Sequence, residues 1–150
     1  MTPPRSQRLQ RVADIAGKRT DEAANALAER MHRLDAAQRQ LEELRQFRRD
    51  YTLQPGSSAG PGLSVAELLN RQQFIARIDQ AIIQQQHDIE QHTRNLAKAR
   101  TNWIESRSRS AALDTVTRRY RDQERASEER SEQAALDERM QQRKDPWPSP

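Results

Sequence analysis

The chain has no cysteine, so disulfides and thiolate metal sites are excluded, and the composition suits a reducing compartment. Aromatic residues make up only 4% of the 150 positions and hydrophobic residues 33%, too few to fill a globular core of that length. No stretch approaches the roughly 20 consecutive apolar residues of a membrane span. The opening MTPPRSQRLQR is basic but lacks the apolar run of a secretory signal, so a cytoplasmic protein is expected. Proline is absent from two long intervals. All seven prolines lie at positions 3, 4, 55, 61, 146, 148 and 150, leaving 5–54 and 62–145 free of them. Proline inside a helix costs about 3 kcal/mol, so those intervals are where long helices are permitted.

What fills them is strongly periodic. Leu68, Ile75, Ile82, Ile89, Leu96 and Trp103 are spaced seven apart without a miss. In the first interval Leu27, Leu34 and Leu41 repeat the same spacing beside Ala23, Ala37, Leu44 and Tyr51. Upstream the pattern weakens to Leu9, Val12, Ile15 and Ala16, with Gly17 inside the helix as a local soft point. Two narrow apolar stripes on heptad spacing predict helices that close on each other. Between them LQPGSSAGPGL holds three of the four glycines and reads as a helix-to-helix break. Ser64 and Glu67 form a capping box that starts the second helix, with Leu63 and Leu68 as the apolar staple. The expected fold is all-α: an elongated antiparallel two-helix coiled-coil hairpin with a longer second helix. Its expected organisation is a disordered 1–4, a first helix over 5–52, a hairpin loop over 53–63, a second helix over 64–145 and a disordered 146–150. Folding back at the loop would set residue 5 beside about residue 110. An overhang of about 111–145 follows, in which only Leu113, Val116, Tyr120, Leu136 and Met140 are large and apolar.

The net charge of +4 and a pI near 10.1 raise the question of nucleic acid. Its distribution argues against that partner. Residues 1–50 carry 11 basic and 8 acidic side chains, 51–100 carry 5 and 4, and 101–150 carry 10 and 10. A phosphate-binding surface needs concentrated positive charge, whereas interleaved signs suit solvated helix faces with i,i+4 pairs. Catalytic and metal-binding patterns are also missing. His87 and His92 are five apart, which separates them on a helix, and a zinc-binding pair needs a spacing of four. His92 and Gln85 share a row of the seam and read as polar seam residues. A two-helix rod has no concavity in which to desolvate an acid or base, so no catalytic residue, cofactor or metal is expected.

Two further stripes stand near the loop. Gln40, Leu44, Phe47 and Tyr51 are spaced 4, 3 and 4 apart, and Phe74, Ile78, Ala81 and Gln85 repeat that spacing at the same height. Leu44 and Ile78 suit the core. Phe47 and Phe74 fall beside the heptad rows and are expected to be partly exposed, as helix-in-groove anchors would be.

Four stretches, in order around the loop, resemble one known family. They are QLEELRQFRRDY, NRQQFIARIDQAIIQQQ, the basic stretch around Trp103, and RSEQAALDERM. Together they resemble the flagellar type III export stalk proteins, the FliJ family, over most of both helices; the loop is longer and richer in Gly and Pro than that family suggests. The resemblance implies an antiparallel coiled coil acting in flagellum assembly and flagellar protein export. Its helix termini would engage the hexameric export ATPase, and its hairpin would help couple that ATPase to the cytoplasmic domain of the membrane export gate. It also implies contact with export chaperones, a monomer when free, and a cytoplasmic position held peripherally at the membrane through partners. The implied gate-binding residues are Gln40, Leu44, Phe47, Tyr51, Phe74, Ile78, Ala81 and Gln85. The implied ATPase-binding residues are Arg118, Arg119, Glu132, Gln133, Asp137 and Glu138. The stalk of a virulence secretion system, an unrelated scaffolding coiled coil and an arginine-rich RNA-binding hairpin are the alternatives.

Overall fold

The computed structural model describes residues 2–53 and 64–144. Helix α1 spans Arg5–Leu53 and helix α2 spans Val65–Lys144. The fold is an all-α antiparallel coiled-coil hairpin with the longer helix second. The break expected over 53–63, apart from Leu53, lies outside the described residues, as do Leu63 of the staple and the expected 146–150 tail. Ser64 does cap α2: its hydroxyl accepts the amide of Glu67 at 3.2 Å.

Contacts divide the chain into two units, Glu22–Ile104 and the pair Met1–Asp21 with Glu105–Pro150. In the first, Leu27, Leu34, Leu41 and Leu44 of α1 are half-buried and Ala23 and Ala37 are buried. Opposite them run Ile75, Ile82, Ile89, Leu96 and Trp103, also half-buried, with Ile78 buried. No side chain anywhere among the described residues is fully enclosed. Two helices cover each other on one side only, so the seam is a strip, and alanines let the axes approach closely. Pairing is antiparallel: Tyr51 meets Phe74, and the Gln85 side chain donates to the carbonyl of Ala37.

The heptad does not begin where its apolar spacing suggests. Leu68 is 45% exposed, and Leu69 and Val65 more so. Helix α1 ends at Leu53, and its last turn is met by Arg71, whose guanidinium donates to the carbonyls of Tyr51 and Thr52 at 3.0 and 3.2 Å. The turns of α2 before Arg71 therefore have no α1 surface to cover them.

In the second unit the seam is small and polar. Ser6, Ala13, Ala16 and Thr117 are buried, with Thr20, Ser106, Ser110 and Leu113 half-buried among them. Val12 and Ile15 are 49% and 54% exposed, so they lie outside a seam that Leu9, Ala13 and Ala16 form instead. The register also differs from equal-height folding. Ser6 is bonded to Glu124, and Thr20 donates to the carbonyl of Ser106. Residues near position 5 thus face residues near 120–124, not 110. The uncovered part of α2 shrinks from 111–145 to the stretch after Glu124, where every residue from 125 to 143 is exposed. Gly17 stays helical, and a methyl added there would meet nothing within 4 Å.

Candidate interaction surfaces

Near the end of α1 the two stripes meet as their spacing predicts. The Phe74 ring lies 4.6 Å from that of Tyr51 and 6.1 Å, edge-on, from that of Phe47. At the other end of the stripes the Gln85 amide donates to Gln40 Oε1 at 3.1 Å. Helical spacing brings these residues together because each stripe advances 4, 3 and 4 residues, one face of an α-helix. Burial then separates their roles. Ile78 is 6% exposed and belongs to the core, whereas Phe47 is 50% and Phe74 37% exposed. Leu44 and Tyr51 are half-buried, and Gln40 and Ala81 lie on the surface. Gln40, Leu44, Phe47 and Gln85 line an open groove together with Glu43. Sequence reasoning missed Glu43, though it stands four residues before Phe47 and so shares its face.

Two charged contacts hold this surface. Arg48 reaches across to Asp79, Nε to Oδ1 at 2.5 Å, and this ion pair holds the guanidinium pKa above its ordinary value. A raised base loses its contribution only in strong alkali, so the bridge is constant across the physiological range. Arg71 lies over the Tyr51 ring at 5.6 Å while bonding the last carbonyls of α1. Helix α1 has no basic residue of its own in that turn. Cations are favourable at a helix C-terminus, so Arg71 supplies from α2 what α1 lacks. Its signal was the heptad row 71, 78, 85, 92, in which a polar residue still faces the partner helix.

The residues implied at the far end are not gathered into one constellation. Arg118 and Arg119 are exposed beside the buried Thr117, whose hydroxyl donates to the carbonyl of Leu113 at 2.7 Å. Glu132, Gln133, Asp137 and Glu138 are exposed too, but lie at least 13 residues further, roughly 20 Å along α2. There the Gln133 amide reaches Asp137 at 3.5 Å, and Leu136 and Met140 stand 52% and 62% exposed.

Between these groups lies a clasp that local sequence patterns do not reveal. Glu124 accepts the backbone N–H of Ser6 at 3.1 Å on one oxygen and the Ser6 hydroxyl on the other. Arg121 donates to Gln10 at 2.8 Å, and Arg5 lies over the Tyr120 ring at 5.1 Å. Helix α1 has no acidic residue in its first turn. Glu124 caps the open N–H of Ser6 from α2, where a carboxylate also meets the positive end of the helix dipole. The bonds from Ser6, aided by Arg121, hold the Glu124 carboxyl below the usual carboxylate range.

Among the described residues no group of three or more His, Asp or Glu side chains is placed to hold a metal ion, and no helix is long and apolar enough to cross a membrane. The sequence profile of the family described as "Flagellar FliJ protein" matches residues 5–144, which takes in both helices. A "Flagellar FliJ protein" of Salmonella typhi is 29% identical over 130 residues, covering 87% of this chain and 88% of that protein. One of Escherichia coli strain K12 is 28% identical over 130 residues, with the same coverage.

Proposed function

Because the chain belongs to the flagellar FliJ protein family, we propose that it acts in the flagellar export apparatus as a stalk between the hexameric export ATPase and the membrane export gate. The family match across residues 5–144 carries this reading. The protein works by binding, not by chemistry, in the cytoplasm beside the inner membrane. It is a monomer that also meets export chaperones.

The division of labour follows exposure. Phe47 and Phe74 pack on each other yet leave about half and a third of their surface open, which suits anchors for the gate's cytoplasmic domain. Gln40, Leu44, Tyr51, Ala81 and Gln85 frame them, and Ile78 supports them from beneath. The bare stretch after Glu124, with Glu132, Gln133, Asp137 and Glu138, and the exposed pair Arg118 and Arg119 serve the ATPase. Mixed charge on a single helix suits a ring lumen, where contacts are polar and individually weak.

The two ends should be separable. Phe47→Ala with Phe74→Ala should weaken gate binding and swimming by about tenfold or more while shifting the melting curve little, as expected of partly exposed anchors. Truncation after Arg125 leaves the Glu124 clasp intact; it should abolish stimulation of the ATPase and spare gate binding. A double variant that swims normally, or a truncated chain that still stimulates the ATPase, would overturn the assignment of ends.

A further inference from the structure

Beside the clasp lies an apolar groove that neither proposed contact uses. Val12, Ile15 and Ala16 of α1 and Ser106 and Leu113 of α2 line it, with Arg19 and Arg109 at its edge, and its volume is about 230 Å³. It shares Val12 with a second groove lined by Arg5, Arg8 and Leu9, so the two run on along α1. Val12 and Ile15 are about half exposed. Val116, seven residues beyond Arg109 and on the same row, is 36% exposed. Exposed apolar side chains occur elsewhere on the chain, Ile83 and Ile104 among them, but here Val12 and Ile15 line one groove together.

The charges at its rim share one sign. Arg5, Arg8, Arg19 and Arg109 line the two grooves, and no acidic residue does. Arg5 is engaged with Tyr120. Among the described residues no hydrogen bond or ion pair engages the guanidinium of Arg8, Arg19 or Arg109, all of them exposed. Elsewhere on α1 three exposed arginines are paired, Arg33 with Glu29, Arg39 with Asp35 and Arg49 with Glu42, while Arg11 and Arg45 are exposed and stand alone along the helix. The groove differs in gathering its free guanidinium groups around an apolar floor. The apolar floor disfavours nucleic acid, which offers phosphates and no matching apolar ridge. From Arg5 to Arg19 the row 5, 8, 12, 15, 19 advances by 3 and 4, a strip roughly 21 Å long that four turns of another helix would cover.

We infer that this groove docks an amphipathic helix of a partner protein, apolar along the side that meets Val12, Ile15 and Leu113 and acidic where it meets Arg8, Arg19 and Arg109. Apolar contact supplies the affinity, and the arginines set orientation and make binding sensitive to salt. The site is separate from the aromatic stripes and from the stretch after Glu124, so it stands or falls apart from the stalk reading.

The probe is a fluorescein-labelled helical peptide of about 16 residues, long enough for the strip, with leucines on one face and glutamates flanking them. Anisotropy titrations on the full chain should show saturable binding that weakens with salt. Val12→Asp with Ile15→Asp should weaken it by about tenfold or more, as should Arg8→Glu with Arg19→Glu and Arg109→Glu. All five side chains are exposed or rim the groove, so circular dichroism and the melting curve should stay near those of the parent. Phe47→Ala with Phe74→Ala should bind the peptide normally. Equal binding of a peptide with the same residues scrambled would reduce the site to plain charge and overturn the proposal. Tighter binding of a short oligonucleotide that displaces the peptide would assign the strip to nucleic acid instead. Sedimentation showing dimers that Val12→Asp with Ile15→Asp dissociates would make a second copy the occupant and equally overturn it.

Discussion

From Glu22 to Ile104 the helices meet mainly through leucine, isoleucine and tryptophan; in the unit formed by Met1–Asp21 and Glu105–Pro150 they meet mainly through serine, alanine and threonine, with Leu9 and Leu113 half-buried among them. The first unit resists separation because apolar area leaves water along the seam, at about 25 cal/mol per Å². In the second, small side chains contribute little area. What holds it is a set of directed bonds: Ser6 to Glu124, Thr20 to the Ser106 carbonyl, and Arg121 to Gln10. Such bonds contribute only about 1 kcal/mol each net, but they fix position along the axis, which a hydrophobic strip does not. Directed bonds therefore set register in both units, Arg48 with Asp79 in the first and Ser6 with Glu124 in the second, while buried apolar area adds stability mainly in the first.

The sharpest test of that division is a pair of core truncations. Ile78→Ala should cost about 2–4 kcal/mol in denaturant unfolding, since Ile78 is the most enclosed large apolar side chain among the described residues. Leu113→Ala, half-buried in the other unit, should cost roughly 1–2 kcal/mol. Equal losses would erase the distinction between the two seams.

A smaller gain is expected within the apolar unit. His92 is half-buried in the seam, and its Nδ1 is buried without a hydrogen-bond partner. An unsatisfied buried polar atom is costly, so His92→Leu should raise stability by about 1 kcal/mol, read from the denaturation midpoint. A loss in its place would mean that the imidazole is satisfied in solution.

The smallest effect is local and pH-dependent. The Glu124 carboxyl is held below the usual carboxylate range by Ser6, so the clasp is complete at neutral pH. It weakens as pH falls through that lowered value, because protonation removes an acceptor from the start of α1. Amide exchange in the first turns of α1 should therefore speed up in acid relative to the 22–104 unit. Glu124→Gln should show the faster exchange already at neutral pH and lose its acid dependence. Uniform acceleration along both helices would show that Glu124 is no local clasp.

Much of the candidate site is legible in the sequence alone. The 4, 3, 4 spacing puts Phe47, Tyr51 and Phe74 on facing stripes, and their rings do meet. The exposure of both phenylalanines follows from their places beside the heptad rows. Glu43 shares a helix face with Phe47 and Arg71 a seam row with Ile78, so both leave a trace in the spacing; Arg48 and Glu124 leave none, since each acts through a neighbour fixed only when the helices pair. The apolar groove is hidden for a related reason. Val12 and Ile15 read as a weakened seam, and only the burial of Ala13 and Ala16 shows that they stand outside it.

Local chemistry along the chain is enough to specify two long helices where proline permits them, which face of each is apolar, and that Ser64 opens the second. These are local matters: backbone restriction, a capping hydroxyl and the 3.5-residue repeat act within a few residues of chain. Which of several staggers the helices adopt is fixed by contacts between residues far apart in the chain. Sliding one helix past the other by a whole heptad leaves every apolar residue in phase, so periodicity cannot distinguish residue 5 beside 110 from Ser6 beside Glu124, a difference of about two heptads. Directed contacts break that degeneracy: Arg71 at the last carbonyls of α1, Arg48 with Asp79 and Glu124 on the N–H of Ser6. The Arg48–Asp79 pair is lost a heptad away, where Arg48 would face Gln72 or Gln86, and the contacts of Arg71 and Glu124 exist only at the two ends of α1.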